Sequence, residues 1–280
     1  MTGLVLEGGG MRGMFTAGIL DVMMENGVRF DGIIGVSAGA AFGCNYKSNQ
    51  IGRSIRYNIK YCKDKRYCSM YSLIKTGDMF GADFCYHEIP ERLDKFDYDA
   101  FSTNPTAFYV VCTDVSTGKP IYKQIKSADY NEMEWIRASA SLPIVSRIVE
   151  ADGKKLLDGG LVDSIPLEYF QSIGYEKNVV VLTQPDGYVK KPNKASRIVK
   201  MQYRKYPNLI KAVEERHLMY NAQLRYVKDA EKSGNTFVIK PDSVLSIGRI
   251  ERNPDNLKRV YEIGRALMEK QLPKLKEFLK

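Results

Sequence analysis

The segment LVLEGGGMRG, residues 4–13, is the stretch of sequence that decides the fold. Its first residues, 4–7, form a short apolar run typical of a buried strand. The glycines lead into a predicted helix over residues 11–26, and Gly27 ends it. Apolar side chains recur along this helix at helical spacing, at Phe15, Ile19, Leu20 and Met23. A strand, a glycine-rich turn and a helix in this order begin an α/β domain.

A second unit of the same kind follows almost at once. Gly32–Val36 predicts another buried strand, and residues 38–45 have helical character, so Ser37 lies on a very short strand-to-helix turn. Further strands are predicted at residues 107–113, 121–124, 155–157, 179–183 and 236–239, and helices at residues 131–140 and 163–172. This order predicts an α/β layered fold around a mostly parallel sheet.

The C-terminal part of the chain is predicted to be helical. Residues 194–232 are charged and aromatic with a helical period, interrupted at Pro207. Asn253 and Pro254 supply the N-cap and first-turn proline of a last helix, whose apolar face we expect to pack on the sheet. Because no linker, repeat or low-complexity tract is seen, we expect a single domain over residues 1–280. Its motif core would span residues 3–185, with a helical, basic region at 190–280 packing on it.

Composition narrows the class of protein. The chain has 280 residues with 44% hydrophobic content, and no apolar run reaches the roughly 20 residues that span a bilayer. It opens without a basic leader, which argues against a secretory signal. The five cysteines form no Cys-x-x-Cys pair, so we expect reduced thiols in a cytoplasmic protein. With only two histidines, neither a metal site nor a cofactor is expected.

Positive charge is concentrated in one region. The net charge is +9, and residues 190–232 hold twelve Lys or Arg against four acids. Such a region is compatible with nucleic acid, with peripheral contact to an anionic membrane surface, or with a solvated helix face. No nucleic-acid recognition motif accompanies it, so nucleic acid is disfavoured. Interleaved tyrosines favour the membrane interpretation, at Tyr203, Tyr206, Tyr220 and Tyr226.

Gly35-Val36-Ser37-Ala38-Gly39 is a Gly-x-Ser-x-Gly elbow. A serine held between strand and helix sits in a strained turn, and glycines two residues to either side let neighbouring backbone pass closely. The pentapeptide alone is a weak signal, since a structural turn would also accept it. Its position after a buried strand favours Ser37 as a nucleophile.

The glycine-rich loop is a candidate oxyanion hole. Consecutive backbone N–H groups in such a loop, beside a helix N-terminus, stabilise developing negative charge. Because the first two strands are predicted neighbours, the loop would lie beside Ser37, with the Ala38 N–H as a further donor. The predicted loop residues are Gly8, Gly9, Gly10, Met11, Arg12 and Gly13.

The same loop also satisfies the dinucleotide fingerprint Gly-x-Gly-x-x-Gly. That fingerprint expects an acid at the end of the second strand, where this chain has Gly35, Val36 and Ser37 instead. The nucleotide interpretation is therefore disfavoured.

Asp158-Gly159-Gly160 follows the apolar pair Leu156-Leu157 and places an acid at the end of a predicted strand. Alone it would be an ordinary Asp-Gly turn. In the company of the other two motifs we interpret Asp158 as the base that activates Ser37. A free aspartate is a weak base, so Asp158 must gain basicity from burial or alignment.

Together these motifs resemble the patatin-like phospholipase family. Its signature has the glycine-rich loop, then Gly-x-Ser-x-Gly, then Asp-Gly-Gly, and also the block Ala-Ser-x-x-Leu-Pro, here Ala138 to Pro143. The resemblance implies a three-layer α/β/α sandwich, a Ser-Asp dyad, and calcium-independent hydrolysis of acyl esters in phospholipids, lysophospholipids or related lipids. Ile144-Val145-Ser146 departs from the family pattern after the Leu-Pro. The resemblance thins beyond about residue 185.

Two other hypotheses stay open. The chain order Ser37, Asp158, His217 formally allows an α/β-hydrolase triad, although that fold places its elbow after several strands. A nonenzymatic lipid-surface protein with a vestigial site is the other, and the intact Ser37 and Asp158 argue against it. His87 and His217 lie in no recognised motif and are predicted to be structural or exposed.

Overall fold

The structure, a computed structural model, describes residues 1–192 and 196–280. One eight-stranded sheet forms its centre, with hydrogen-bonded neighbours along the path β5-β6-β3-β2-β1-β7-β8. β6 and β2 pair with successive parts of one edge of β3, and β4 pairs with its other edge. The strands are β1 Thr2–Leu6, β2 Gly32–Val36, β3 Ala107–Asp114, β4 Pro120–Ile125, β5 Val149–Ala151, β6 Lys154–Asp158, β7 Lys177–Val181 and β8 Thr236–Ile239. β3, β2, β1, β7 and β8 are parallel, whereas β4, β5 and β6 join by antiparallel pairs.

Helices cover both faces of this sheet. They are α1 Gly13–Glu25, α2 Ala38–Lys47, α3 Arg53–Tyr61, α4 Met70–Thr76, α5 Tyr98–Thr103, α6 Tyr130–Ser139, α7 Leu167–Ser172, α8 Ser196–Gln202, α9 Pro207–Lys232 and α10 Pro254–Phe278. A π-helical segment spans Phe84–Leu93, and 3₁₀ turns span Gly10–Arg12 and Gly159–Leu161. None of the described helices is long and apolar enough to cross a membrane.

The two faces of the sheet bury different helices because strand side chains alternate. Leu4 and Leu6 of β1 pack in a core with α1, α2 and α10. Val5, between them, packs in a second core with α7 and α9. The three-layer α/β/α sandwich with a mostly parallel sheet, expected from the family resemblance, is confirmed.

α10 lies against α1 at unusually close range. A side chain on Gly18 of α1 would overlap the Tyr261 carbonyl, and one on Gly264 of α10 would overlap the Phe15 carbonyl. The reciprocal glycines let the two backbones touch. The last helix therefore packs on α1, in the helical layer above the sheet.

Several predicted boundaries were wrong. The helix predicted at 163–172 begins only at Leu167, after a turn that contains Pro166, and the strand predicted at 179–183 is Lys177–Val181. Sequence patterns also missed β5 and the helical segments between residues 53 and 103. The predicted start of the helical region, residue 194, falls within residues 193–195, which lie outside the described residues. The single-domain interpretation of residues 1–280 stays a prediction.

Candidate active site

Ser37 sits in a strained turn between β2 and α2. Its φ and ψ are 56° and −121°, in a region that L-residues rarely occupy. Close backbone contacts hold it there, since a side chain on Gly39 would overlap the Leu6 carbonyl and one on Gly35 would lie 2.6 Å from the Ala40 nitrogen. The glycines of the elbow are required by packing, as the motif predicts.

The pairing of β3 brings Asp158 to Ser37. On one edge β3 pairs with β4 along Phe108 to Thr113. Along its other edge β3 pairs first with β2, and the last pair is Val36 with Val111. From the next residue on, this edge pairs with β6, and the first pair is Asp158 with Cys112. β2 and β6 therefore meet end to end. The residue after β2 faces the residue that ends β6.

Burial and nearby charges set the pKa of the Asp158 carboxyl. The side chain is buried, and its Oδ1 accepts a hydrogen bond of 2.7 Å from the Gly160 N–H. Burial raises the pKa of Asp158, against the lowering effects of the Arg216 guanidinium and of the nearby Ser37 hydroxyl. The raised pKa makes Asp158 a stronger base than a free aspartate.

The glycine-rich loop adjoins Ser37, but its members face different neighbours. A side chain on Gly8 would lie 2.8 Å from Ser37 Cβ, whereas Gly13 contacts Phe42 of α2. Arg12 Nε donates to Thr183 Oγ1 at 3.4 Å. The Met11 N–H donates to the Arg249 carbonyl at 3.1 Å and is already engaged.

Several of the predicted donors remain available for a ligand. In residues 1–192 and 196–280 the backbone N–H groups of Gly8, Gly9, Gly10 and Ala38 have no protein acceptor. Gly10 has a φ of +58°, and a side chain there would collide with Arg249. These amides are predicted oxyanion-hole donors that are free to donate.

Sequence analysis missed the residues that hold this turn in place. Ser139 Oγ accepts a hydrogen bond of 2.9 Å from the Ser37 N–H and donates one of 2.7 Å to the Val111 carbonyl. The Ser141 carbonyl accepts a 2.7 Å hydrogen bond from the Asp158 N–H. Both serines belong to the Ala-Ser-x-x-Leu-Pro block. The sequence shows this block, but not that its serines hold Ser37 and Asp158 by hydrogen bonds.

Arg216 was also missed as a neighbour of the site, because nothing in its local sequence marks it. It projects from α9, and its Nε donates to the Gly160 carbonyl beside Asp158. Gln223, two turns further along α9, accepts hydrogen bonds from the Ser164 and Ile165 amides. α9 therefore fastens the loop that follows Asp158.

A cavity of about 490 Å³ opens at Ser37. Its size lies within the range of small-ligand sites. The segment from Leu142 to Ser146 lines it, and this segment includes Ile144 to Ser146, the stretch that departs from the family pattern. Most of the remaining wall is apolar or aromatic, with side chains that include Tyr57, Met79, Phe80, Ile89 and Ile136.

Neither histidine takes part in the site. His87 Nε2 lies 3.0 Å from Glu134 Oε1, and its ring stacks on Tyr130. His217 Nδ1 lies 2.9 Å from the Glu214 carbonyl of its own helix. Among the hydrogen bonds of the described residues, none joins a histidine to Ser37 or Asp158.

The tyrosines of the basic region do not form the interfacial set that the sequence indicated. Tyr203 and Tyr220 are buried in the cores. Tyr220 also donates to Glu7 Oε1 at 2.6 Å. Tyr226 is partly exposed but donates to Gln171. The prediction was wrong for Tyr203 and Tyr220, because their aromatic rings fill the space between α8, α9 and the sheet.

Two family models match separate parts of the chain. The patatin-like phospholipase model matches residues 4–170, which include Ser37 and Asp158. A domain of unknown function (DUF6363) matches residues 206–280, which include Arg216 and Arg249.

Individual proteins are more distant. Uncharacterized protein YjjU of Escherichia coli strain K12 is 26% identical over 269 residues, covering 94% of this chain and 74% of that protein. Lysophospholipase nte1 of Aspergillus fumigatus is 28% identical over 183 residues, covering 61% of this chain and only 11% of that protein. The solved structure of VipD from Legionella pneumophila aligns with a TM-score of 0.48 at 12% identity, over 98% of this chain and 67% of that chain.

Proposed function

The chain belongs to the patatin-like phospholipase family, and from this premise we propose that it hydrolyses carboxylic esters of lipids with Ser37 as nucleophile and Asp158 as general base. The observation that carries the proposal is the end-to-end meeting of β2 and β6, which brings the Ser37 turn to the buried Asp158 carboxylate. The apolar cavity at Ser37 supports a lipid substrate. The lysophospholipase name of the fungal relative supports an ester of the same class.

The proposed reaction has two halves. Asp158 accepts the proton of Ser37 Oγ as that oxygen attacks the ester carbonyl, and the oxyanion receives hydrogen bonds from the amides of Gly9, Gly10 and Ala38. Collapse breaks the bond to the alcohol, which leaves with the proton held by Asp158. In the second half Asp158 takes a proton from water, the water oxygen attacks the acyl-enzyme, and the proton returns to Ser37 as the fatty acid is released.

This dyad needs no histidine. A histidine base requires a partner that fixes its tautomer and a hydrogen bond to the serine. His217 instead contacts the Glu214 carbonyl on α9, and His87 pairs with Glu134. Both contacts favour the dyad over the Ser37, Asp158, His217 triad.

Variants of the dyad test the proposal directly. Ser37→Ala should abolish turnover of a short-chain ester and covalent labelling by a fluorophosphonate, with circular dichroism unchanged. Asp158→Asn should lose about 100- to 10,000-fold in rate, as expected for loss of a general base. His87→Ala and His217→Ala are the matched controls and should keep most activity.

Two results would contradict this assignment. Stoichiometric labelling of Ser37→Ala on another serine would exclude Ser37 as the nucleophile. A folded His217→Ala protein as inactive as Ser37→Ala would replace the dyad by a triad.

Hydrolysis of phospholipids, lysophospholipids and simple esters with the same acyl chain, measured side by side, would identify the preferred lipid.

A further inference from the structure

Three cationic side chains lie in or near the wall of the Ser37 cavity, and all lie outside the residues that match the patatin-like family. We call Lys190, Arg216 and Arg249 the cation cluster. Arg216 and Arg249 line the same cavity as Ser37. Lys190 precedes α8, and its Nζ lies 4.5 Å from the centre of the Tyr220 ring, one turn along α9 from Arg216.

Within the part of the chain that the structure describes, no acid forms an ion pair with this cluster. The Asp158 carboxylate nevertheless lies near Arg216 and partly offsets its charge. The carboxylate of Glu7 is nearby, but Tyr220 and Thr183 already donate to it. By contrast, the guanidinium of Arg53 is paired with Asp94 and that of Arg137 with Asp78.

Burial and the neighbouring arginines both act on the lysine of the cluster. Burial, followed by the positive charges of Arg216 and Arg249, lowers the pKa of Lys190 to about 7. The negative charge of Glu7 opposes this, and Arg12 adds to it. An excess of positive charge in a partly desolvated cleft attracts anions more strongly than a solvated face does.

The chemistry of the cleft fits a phosphate group next to an ester. Guanidinium groups bind phosphate in paired hydrogen bonds, and an ammonium adds a point charge. A glycerophospholipid carries its phosphate a few bonds from the acyl ester, so an ester at Ser37 would leave the phosphate near the wall of the same cavity. The apolar wall formed by Met79, Phe80 and Ile136 would then contact the acyl chain.

Resting on the proposed ester hydrolysis, we propose that Lys190, Arg216 and Arg249 form a binding site for a phosphate group, supplied by the head group of the substrate or by free phosphate. A phosphate in this site would neutralise the cluster and position the ester over Ser37. The specificity for a phosphate-bearing lipid would then come from the C-terminal third of the chain.

The first arm of the test compares two substrates that share one acyl chain, a monoacylglycerol phosphate and the neutral monoacylglycerol, both below their micelle concentrations. The ratio of their kcat/KM values should favour the phosphate ester. At a pH below the pKa of Lys190, where all three groups are charged, this ratio should fall in Lys190→Gln/Arg249→Gln by about tenfold for each charge removed, the effect of losing a charge-assisted hydrogen bond. Lys258→Gln/Lys270→Gln removes the same charge from exposed sites on α10 and should keep the ratio.

The second arm uses inorganic phosphate and needs no turnover. Phosphate should raise the thermal unfolding midpoint of the wild type at constant ionic strength, and should raise that of Lys190→Gln/Arg249→Gln less. Stabilisation by phosphate without any substrate preference would identify free phosphate as the ligand. If all proteins hydrolyse neither ester but phosphate still stabilises the wild type, the proposed function fails and the phosphate site stands. An unchanged ratio together with no selective stabilisation by phosphate would overturn the site.

Discussion

At the scale of single residues, Ser139 shows how an ordinary side chain makes the Ser37 turn possible. The Ser37 backbone has a positive φ, a strained conformation that persists only because the surroundings hold it. The Ser139 hydroxyl supplies that restraint by joining the Ser37 amide to the Val111 carbonyl of β3. It thereby links the elbow to the strand that also positions Asp158.

We predict that Ser139→Ala lowers both activity and stability. The substitution leaves the buried Ser37 N–H without a partner, at about 1–3 kcal/mol, and removes a donor to the Val111 carbonyl. The Ser37 turn can then relax, so the rate of fluorophosphonate labelling should fall together with kcat/KM. Ser102→Ala, which removes an exposed hydroxyl on α5, is the control. A Ser139→Ala protein that labels at the wild-type rate would show that the hydrogen bond does not position Ser37.

The pH profile is the second prediction at this scale. Asp158 must be deprotonated to act as a base, so kcat/KM for a neutral ester should fall as the pH drops through the pKa of Asp158, which burial raises above its ordinary value. Arg216 lowers that pKa. Arg216→Gln should therefore move the acid limb to higher pH, while glutamine can still donate to the Gly160 carbonyl.

The control for the pH profile is Lys211→Gln, which removes an exposed charge from the same helix. Its acid limb should match that of the wild type. A limb that moves to lower pH in Arg216→Gln would contradict the electrostatic role of Arg216.

At the scale of elements, the C-terminal helices complete a site whose core lies elsewhere. α9 reaches the loop after Asp158 through Arg216 and Gln223. Gln223 also donates to Asp163, which accepts a further hydrogen bond from Tyr122 of β4. The loop is thus held between a strand and a helix that are far apart in sequence. Displacement of α9 would therefore loosen Asp158 even when neither residue of the dyad is substituted.

The contact between α1 and α10 provides a prediction for a whole helix. Gly264→Ala would place a methyl group against the Phe15 carbonyl, which belongs to backbone and cannot rotate away. Such overpacking costs about 1–3 kcal/mol, more than the roughly 1 kcal/mol that alanine gains in helix propensity. The urea midpoint should therefore decrease. Glu262→Ala, at an exposed position two residues earlier, should leave it nearly unchanged, and a Gly264→Ala protein more stable than the wild type would contradict the close packing.

At the scale of the whole molecule, the concentration of positive charge at residues 190–232 bears on which surfaces the protein can bind. Some of the cations between residues 190 and 232 are paired, as Lys200 is with Glu214 and Lys211 with Glu215. Lys191 and Arg197 are exposed and form no ion pair among the described residues. Exposed apolar side chains of α8, Ile198 and Met201, lie beside them. This combination of free cations and exposed apolar groups suits the surface of an anionic membrane.

We therefore predict tighter binding to anionic than to neutral vesicles. Binding should weaken as salt rises, because the Debye length shortens to about 8 Å at physiological ionic strength. Lys191→Gln/Arg197→Gln should bind anionic vesicles more weakly than Lys258→Gln/Lys270→Gln, which has the same net charge. Equal affinity of the wild type for both kinds of vesicle would refute the membrane contact. Salt-dependent binding of RNA in its place would indicate a nucleic-acid partner.

The local features of this protein were determined by its sequence. The boundaries of β2 and β8, the Ser37 turn, the neighbouring positions of β1 and β2, and the family all follow from patterns within short segments. Such patterns are reliable because side-chain period, turn glycines and helix caps act over a few residues.

What only the tertiary structure decided is which distant segments meet. The register of β3 aligns β2 with β6 and so brings Ser37 to Asp158 across more than a hundred residues of sequence. The hydroxyl of Ser139, the guanidinium of Arg216 and the burial of Tyr220 depend on the same long-range packing. No local pattern encodes these contacts, because each is set by strand register and by the docking of α9 on the sheet rather than by the residues beside it.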